Sequence, residues 1–220
     1  MIELLVVLVI AAITMAGIYR VFIGQTKTYA IQDQVIEVQQ SVRGAMEILL
    51  RDLRMTGFDD DNPNSDVTIA NPLAPVQDSD ITINYEYYDR SLVGTEAQKY
   101  QSHLVRYWRD GGTSRLMRQL TVDAGARPAE IILENVSALT FTYGIDRDND
   151  EIMDDQNGNG QIDTNDWLSA AGVVALGNPK VVAINVSLTG RPDQANTDIA
   201  KVVSPRTLVS AVTLRNLSLR

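Results

Sequence analysis

The chain of 220 residues contains no cysteine and a single histidine, His103. The absence of cysteine excludes disulfide bonds, thiol catalysis and cysteine-based zinc sites. One histidine disfavours catalytic triads and histidine-rich metal sites, and the sequence has neither a nucleophile motif nor a phosphate-binding loop. These absences favour a structural or binding protein over an enzyme.

Basic residues are fewer than acidic ones: the chain has 19 lysines and arginines and 28 aspartates and glutamates, which gives a net charge of −9. An acidic chain disfavours binding to nucleic acid or to anionic lipid. The acidity is concentrated in residues 146–166, which carry −7 of that net charge. The sequence therefore predicts a local acidic site and not a generally acidic surface.

An almost uninterrupted apolar run occupies Met1–Ile23, and no basic residue precedes it. About 20 apolar residues are enough to cross a bilayer, but the missing basic start disfavours a cleaved secretory signal. The carboxylate of Glu3 within this run would cost roughly 2.5–3.5 kcal/mol at the bilayer centre, so it calls for a partner or a function. A secretory signal, a plain transmembrane anchor and an assembly helix are all open on these grounds.

The string from Ile2 to Ile13, IELLVVLVIAAI, resembles the start of mature type IV pilins and pseudopilins. This resemblance implies that Glu3 pairs with the N-terminal amine of a neighbouring subunit in a filament. It also implies a precursor that prepilin peptidase cleaves and that is methylated at its new N-terminus. Because family members carry a basic leader and two further residues before this string, we expect Met1 to be an internal methionine of a longer precursor.

Apolar residues recur at steps of three and four through residues 24–56, which is typical of an amphipathic helix. They are Ile31, Val35, Val38, Val42, Ala45 or Met46, Leu49 and Leu53. We therefore expect one helix through residues 1–56, with residues 1–23 in a membrane or filament core and residues 24–56 continuing it up to a cap at Gly57. Two helices broken near Gly24 are the alternative.

Alternating apolar and polar residues predict strands in a head formed by residues 57–220. The predicted strands contain Ile81–Tyr87, His103–Arg109, Ser114–Leu120, Leu139–Tyr143, Val182–Leu188 and Thr207–Leu214. Asp110-Gly-Gly112 predicts a hairpin between the second and third of them, and His103 is expected to face water or to be half-buried. The predicted fold class is α+β, a long helix packed on an antiparallel sheet.

Residues 155–166 match the spacing of a twelve-residue calcium-binding loop, with Gly160 at the sixth position, where the backbone must turn sharply. The ligand positions of that loop hold Asp155, Asn157, Asn159, Gln161 (through its backbone carbonyl), Asp163 and Asp166. Calcium takes six to eight oxygen ligands, which alternate residues of a tight loop can supply. We predict a calcium site with a dissociation constant of about 0.1–1 mM; a solvated loop without an ion is the alternative.

The preceding residues repeat the oxygen pattern, with Asp146, Asp148, Asp150 and Asp154 at the first, third, fifth and ninth positions. This loop lacks the turn glycine, and a full twelve residues would overlap the second loop. The pair resembles the calcium repeats of thrombospondin type 3 and dockerin segments. We therefore expect one or two calcium ions at 146–166, and a region that is disordered without them because its carboxylates repel one another.

Three further segments, Ser41–Phe58, Val136–Asp146 and Val212–Asn216, resemble PilW-like minor pilins and the related J-type pseudopilins of type II secretion. The resemblance implies a non-enzymatic subunit that primes or caps a type IV pilus, with the major pilin, other minor pilins and the assembly platform as partners. It implies location in the inner membrane before assembly, and in the pilus, at the cell surface or in the periplasm afterwards. A type II secretion pseudopilin and a membrane-anchored, calcium-dependent adhesin are the alternatives.

Overall fold

The computed structural model describes residues 2–73, 76–192 and 203–218. Its first element is a single helix, α1 (Ile2–Arg54), which passes Gly24 without a break, so the prediction of one long helix is confirmed. At 1.5 Å per residue this helix is about 80 Å long. Gly57 follows it in the left-handed conformation, with φ of +72°, and donates its N–H to the carbonyl of Asn84 in the head and not to the helix.

The two halves of α1 have different surroundings. Residues 2–29 are exposed, and by length and composition this helix is apolar enough to cross a membrane. The second half presents a buried apolar face made of Val38, Val42, Ala45, Met46, Leu49, Leu50 and Leu53. This is the predicted stripe, except that Ile31 and Val35 are only half-buried because close packing against the head begins near Val38.

The head contains two antiparallel sheets where the sequence predicted one. The five-stranded sheet has β1 (Asp80–Tyr88), β2 (Tyr100–Asp110), β3 (Arg115–Val122), β4 (Gly125–Ala126) and β5 (Glu130–Leu133), with β4 and β5 both paired to β3. The three-stranded sheet has the order β6 (Val136–Asp146), β7 (Lys180–Gly190) and β8 (Arg206–Thr213). Within the described residues, the short helices are Ala97–Lys99, which is 3₁₀, α2 (Ala170–Ala175) and α3 (Arg215–Ser218). The predicted α+β class and the β2–β3 hairpin are confirmed.

The hydrophobic core lies between the second half of α1 and the inner faces of both sheets. Its largest side chains, Tyr107, Tyr143 and Phe141, are fully buried. Gly190 at the end of β7 allows α1 to approach closely, because a Cβ at this position would lie 2.5 Å from Cγ2 of Val42. The spacing of apolar residues in the sequence determines which face of α1 is apolar. Gly190 determines how closely that face approaches the sheet.

The expectation that His103 faces water or is half-buried is wrong. Its side chain is 9% exposed on β2, stacked on the ring of Tyr87 and edge-on to that of Tyr85, with ring centroids 4.7 and 5.5 Å away. Burial lowers the pKa of the imidazole, so His103 is a neutral member of an aromatic cluster. Alternation along one strand could not reveal this, because the covering rings come from the neighbouring strand.

Candidate functional site

The acidic residues form an insertion between β6 and β7, at the end of these strands that points away from the exposed half of α1. β7 begins at Lys180 beside the insertion and ends at Gly190, which contacts Val42 of the helix. At about 3.3 Å per residue, the strand separates these two levels by roughly 33 Å. The acidic insertion is therefore at the distal tip of the head.

The first loop of the insertion begins at Asp146, which is 1% exposed at the end of β6. One of its carboxylate oxygens accepts the N–H of Asn149 at 2.7 Å and the other accepts the N–H of Glu151 at 3.1 Å. Asp148 accepts the N–H of Asp150 at 3.3 Å. These bonds wrap the backbone around the carboxylate at the first position of the loop.

The second loop repeats this wrapping nine residues later. Asp155 accepts the N–H of Gly158 at 2.7 Å and, through its other oxygen, the N–H of Gly160 at 2.5 Å. The amide oxygen of Asn157 accepts the N–H of Asn159 at 3.0 Å. In both loops the first residue bonds the fourth and sixth N–H groups, and the third residue bonds the fifth.

The sixth position has the left-handed conformation in both loops, with φ of +70° at Glu151 and +80° at Gly160. The first loop thus makes its sharp turn without the glycine that its sequence lacks. A non-glycine residue held at positive φ carries strain of about 1 kcal/mol. The two loops therefore share one hydrogen-bond scheme in tandem, although the first lacks the glycine of the second.

The ligand residues predicted for the first loop come together most tightly. Carboxylate oxygens of Asp146, Asp148 and Asp154 lie within 4.8 Å of one another, a spacing that suits a cation with oxygen ligands 2.3–2.6 Å away. Asp150 accepts the N–H of Ile152 and is not a member of this group. In the described part of the chain, no other three histidine or acidic side chains are gathered at this spacing.

The second loop arranges its predicted ligands more loosely. Asp163 accepts side-chain amide N–H groups from Asn159 at 2.9 Å and Asn157 at 3.4 Å, so these three side chains face one another. Asp166 is fully buried and closes the loop by accepting the N–H groups of Gln156 and Asp163. Gln161 donates its N–H to Asn159 and has an exposed side chain.

The carboxylates of the two loops have opposite electrostatic environments. In the first, partial loss of hydration and then the neighbouring carboxylates raise the pKa of Asp148. In the second, the N–H of Gly160 lowers the pKa of Asp155 and the N–H of Asn165 lowers the pKa of Asp163. A bound cation would therefore relieve the repulsion at Asp148, whereas Asp146 already accepts two backbone N–H groups and Asp154 is paired with Arg147 at 2.9 Å. In the second loop, backbone donors already stabilise the charges of Asp155 and Asp163.

The insertion is fastened to the core on both sides of the loops. Asp154 donates its N–H to the carbonyl of Ile145, and Leu168 pairs with Tyr143 through two backbone hydrogen bonds of 2.8 and 2.9 Å. The Tyr143 hydroxyl in turn donates to the carbonyl of Gln77 at 2.5 Å. Order in the loops is thus coupled to the segment that leads into β1.

Glu3, the predicted assembly residue, lies in the first turn of α1 within the exposed half. None of the hydrogen bonds or ion pairs among the described residues of this single chain involves its carboxylate. The residues surrounding it, including Ile2 and Leu4, are exposed apolar side chains. The structure therefore leaves the pairing of Glu3 with another subunit as a prediction.

A buried polar cluster that the sequence analysis missed joins α1 to the five-stranded sheet. Asp52, 5% exposed, accepts the hydroxyl of Tyr107 at 2.7 Å and Nε of Arg118 at 2.9 Å. Burial and then the Asp52 carboxylate raise the pKa of Tyr107 above its ordinary value. The sequence signal that could have revealed this cluster is Asp52 itself, a charged residue one turn after Leu49 and on the same helix face as the apolar stripe.

A comparison with protein families supplies the identity. The family model described as "Type IV Pilus-assembly protein W", PilW, matches residues 104–215, just over half of the chain. The chain belongs to the PilW family. The match covers the strands from β2 to β8 and therefore includes both flanks of the acidic insertion. PilW membership and the exposed apolar helix are consistent with membrane anchoring and with a place in the type IV pilus system, and they favour a structural role over an enzymatic one.

Among solved structures, a type IV-like pilin from Thermus thermophilus aligns over 81% of this chain and 97% of its own, at 11% sequence identity and a TM-score of 0.45. A comparison with curated proteins finds no match.

Proposed function

We propose that this PilW-family chain is a minor subunit that primes or caps assembly of a type IV pilus. The apolar half of α1 would hold it in the inner membrane before assembly and in the filament core afterwards. The major pilin, other minor pilins and the assembly platform would be its partners. The observation that carries the proposal is the PilW match together with 28 exposed helix residues, 2–29, that the head leaves uncovered.

Physical chemistry supports a second protein environment around that helix half. A fully exposed apolar helix is unstable in water and requires lipid or other helices. A carboxylate within it is tolerated in lipid only with a partner, and a neighbouring N-terminal amine would supply one for Glu3. Such a pairing would stabilise a subunit only when it enters the filament at the correct axial position.

Counting surface filaments on cells that lack this gene, with the major pilin still produced, tests the priming role. We expect filaments to be lost while the major pilin stays in the inner membrane. Normal filament numbers with impaired protein export would instead indicate the pseudopilin alternative. Normal filaments with impaired surface attachment would indicate the adhesin alternative.

Substitution of Glu3 tests the assembly contact separately. Glu3→Gln keeps the shape of the side chain and removes its charge, so we expect it to leave the protein in the membrane and reduce filament numbers by about tenfold or more. Glu3→Asp, which retains the charge, is the matched control and should keep part of the activity. Equal filament numbers in the Glu3→Gln strain and the parent strain would contradict the proposed pairing.

We further propose that the acidic insertion binds calcium and that the ion orders the distal tip. The donor set fits calcium, because all the candidate ligands are oxygens and the first loop already gathers three carboxylates within 4.8 Å. In that loop Asp146, Asp148 and Asp154 would hold the ion. In the second, Asp155, Asn157, Asn159, the carbonyl of Gln161 and Asp163 would do so, with Asp166 closing the loop.

Isothermal titration of the full chain in detergent with calcium tests this proposal. Asp148→Ala/Asp154→Ala should remove binding to the first loop, and Asp155→Ala/Asp163→Ala should remove binding to the second. Magnesium at equal concentration is the control ion, because it requires a tighter octahedral site than these loops offer. Heat signals identical for the parent and both double variants, or no heat at all, would exclude a calcium site here.

A further inference from the structure

The three-stranded sheet ends in an open edge at β8. This strand pairs with β7 through eight consecutive residue pairs, from Arg206 opposite Gly190 to Thr213 opposite Ala183, without a register shift. Within residues 2–73, 76–192 and 203–218, no backbone hydrogen bond joins β8 to any segment other than β7. An edge strand of this kind presents a row of unpaired backbone N–H and C=O groups.

The other long sheet edges are sealed by the chain itself. The edge of β1 is covered by backbone hydrogen bonds to Gly57, Phe58 and Pro72. The edge of β6 is covered by backbone hydrogen bonds to Asp78 and Leu168. The remaining edge strands, β4 and β5, are only two and four residues long. β8 is thus the only long edge, among the described residues, to which no further segment adds backbone hydrogen bonds, although α1 packs against this strand.

β8 also lacks the devices that usually keep an edge from pairing with another chain. β8 has one charged residue, Arg206 at its start, directly after Pro205; residues 207–213 contain no charged residue, no proline and no bulge, whereas protected edges carry lysine, proline or a bulge. The strand is held firmly from inside, because Val212 is buried and Leu208 packs on the core. Val209 on the outer face remains 55% exposed. The edge is therefore held in place by the core, and its backbone N–H and C=O groups are positioned to pair with another strand.

We infer that β8 is the docking edge for an extended, uncharged strand of a neighbouring, non-identical subunit, which joins the sheet by β-strand addition. This inference rests on the proposed function as an assembly subunit. Only another backbone in extended conformation matches a ladder of alternating donors and acceptors. The seven uncharged side chains that follow Arg206 on β8 favour a strand that is likewise free of charge.

The direction of β8 decides against antiparallel pairing of two copies through their own β8 strands. The strand starts at the level of Val42 and ends beside the turn after α1, where Asn216 donates to the carbonyl of Arg54. It therefore runs along α1 in the same direction. Antiparallel pairing of two β8 strands would invert one α1, and two inverted helices cannot be anchored in the same membrane from the same side.

Amide hydrogen exchange of residues 206–213 tests the inference directly. In the full chain alone in detergent, we expect about half of these amides to exchange fast, because only alternate N–H groups bond to β7. In a complex co-purified with the other pilus subunits of the same cells, the fast half should slow by about tenfold or more. A fast half that persists in the complex would overturn the inference, as would slow exchange of all eight amides in the isolated chain.

A charge on the edge gives a second test. Val209→Lys should reduce recovery of the chain in that complex by about tenfold, because lysine blocks edge pairing. Thr140→Lys is the matched control, since Thr140 is exposed in the same cross-strand row but on the sealed β6. Equal recovery of both variants would overturn the inference. Filament counts in the gene-deletion strain test the assembly role independently of either result.

Discussion

Removal of the Asp52 carboxylate should weaken the attachment of α1 to the five-stranded sheet. We expect it to lower the free energy of unfolding more than the removal of an apolar group of similar size would. Asp52 accepts two hydrogen bonds, from Tyr107 at 2.7 Å and from Arg118 at 2.9 Å. Hydrogen bonds that involve a charged group are worth about 1.5–3 kcal/mol each. Breaking a buried ion pair costs about 3–5 kcal/mol because one charge is left without a partner.

Partial exposure of Arg118 lowers this figure. Its side chain is 16% exposed, and Glu130 lies 3.6 Å from its Nη1 as a second ion-pair partner. We therefore expect Asp52→Ala to reduce the free energy of unfolding by about 3 kcal/mol. For a head of this size that loss corresponds to a decrease in Tm of about 6–12 °C.

Thermal unfolding of the full chain in detergent, followed by near-UV circular dichroism, measures this loss. Asp33→Ala is the matched control, because Asp33 is an exposed aspartate on the same helix, and it should change stability by about 0.5 kcal/mol or less. The variant with Asp52→Leu, Tyr107→Phe and Arg118→Met together should recover much of the loss, since no buried polar group is then unpaired. A cost below about 1 kcal/mol for Asp52→Ala would refute the reasoning.

Other changes follow from single close contacts and from the loops. Gly190→Ala should lower the free energy of unfolding, measured by chemical denaturation, by about 1–3 kcal/mol because its Cβ would overlap Val42. Adding Val42→Ala to the same chain should restore about 1–2 kcal/mol of that loss. Additive effects of the two substitutions would contradict the contact. Since the pKa of Asp148 is raised and that of Asp155 is lowered, acidification should protonate Asp148 before Asp155, so calcium titrations at successively lower pH should lose the first-loop signal first. The reverse order would count against these assignments. Glu151→Gly should stabilise the head by about 1 kcal/mol by relieving its positive φ. Glu151→Gln, which removes the charge but keeps a side chain strained at positive φ, controls for electrostatics, and an equal change in Tm for both variants would argue against strain.

Local patterns were sufficient to predict the elements of this protein. The three-to-four spacing from Val38 to Leu53 identified the buried face of α1, because a helix places such residues on one side whatever surrounds it. Alternation along β1, β2 and β7 identified strands for a similar reason. The oxygen spacing at 155–166 identified a turn-rich acidic loop, and the structure adds that residues 146–154 fold by the same hydrogen-bond scheme.

The same local patterns could not predict features that depend on which segments of the chain contact one another. The burial of His103 requires the rings of Tyr85 and Tyr87 from the neighbouring strand. The division of the strands into two sheets depends on pairings across the whole head, and so does the difference between a sealed β6 edge and an open β8 edge. Periodicity reports only the face of an element that is apolar, not the element that covers it.

Composition and periods of two to four residues were enough to establish a membrane-length helix with an amphipathic continuation, an α+β head and one acidic site, because each of these is a property of local sequence. Only the tertiary structure decided that Asp52 has its partners on β2 and β3, that Gly190 admits Val42, and that the acidic loops occupy the distal tip. Each of these depends on contacts between residues far apart in the chain, whose geometry follows from how the whole core packs.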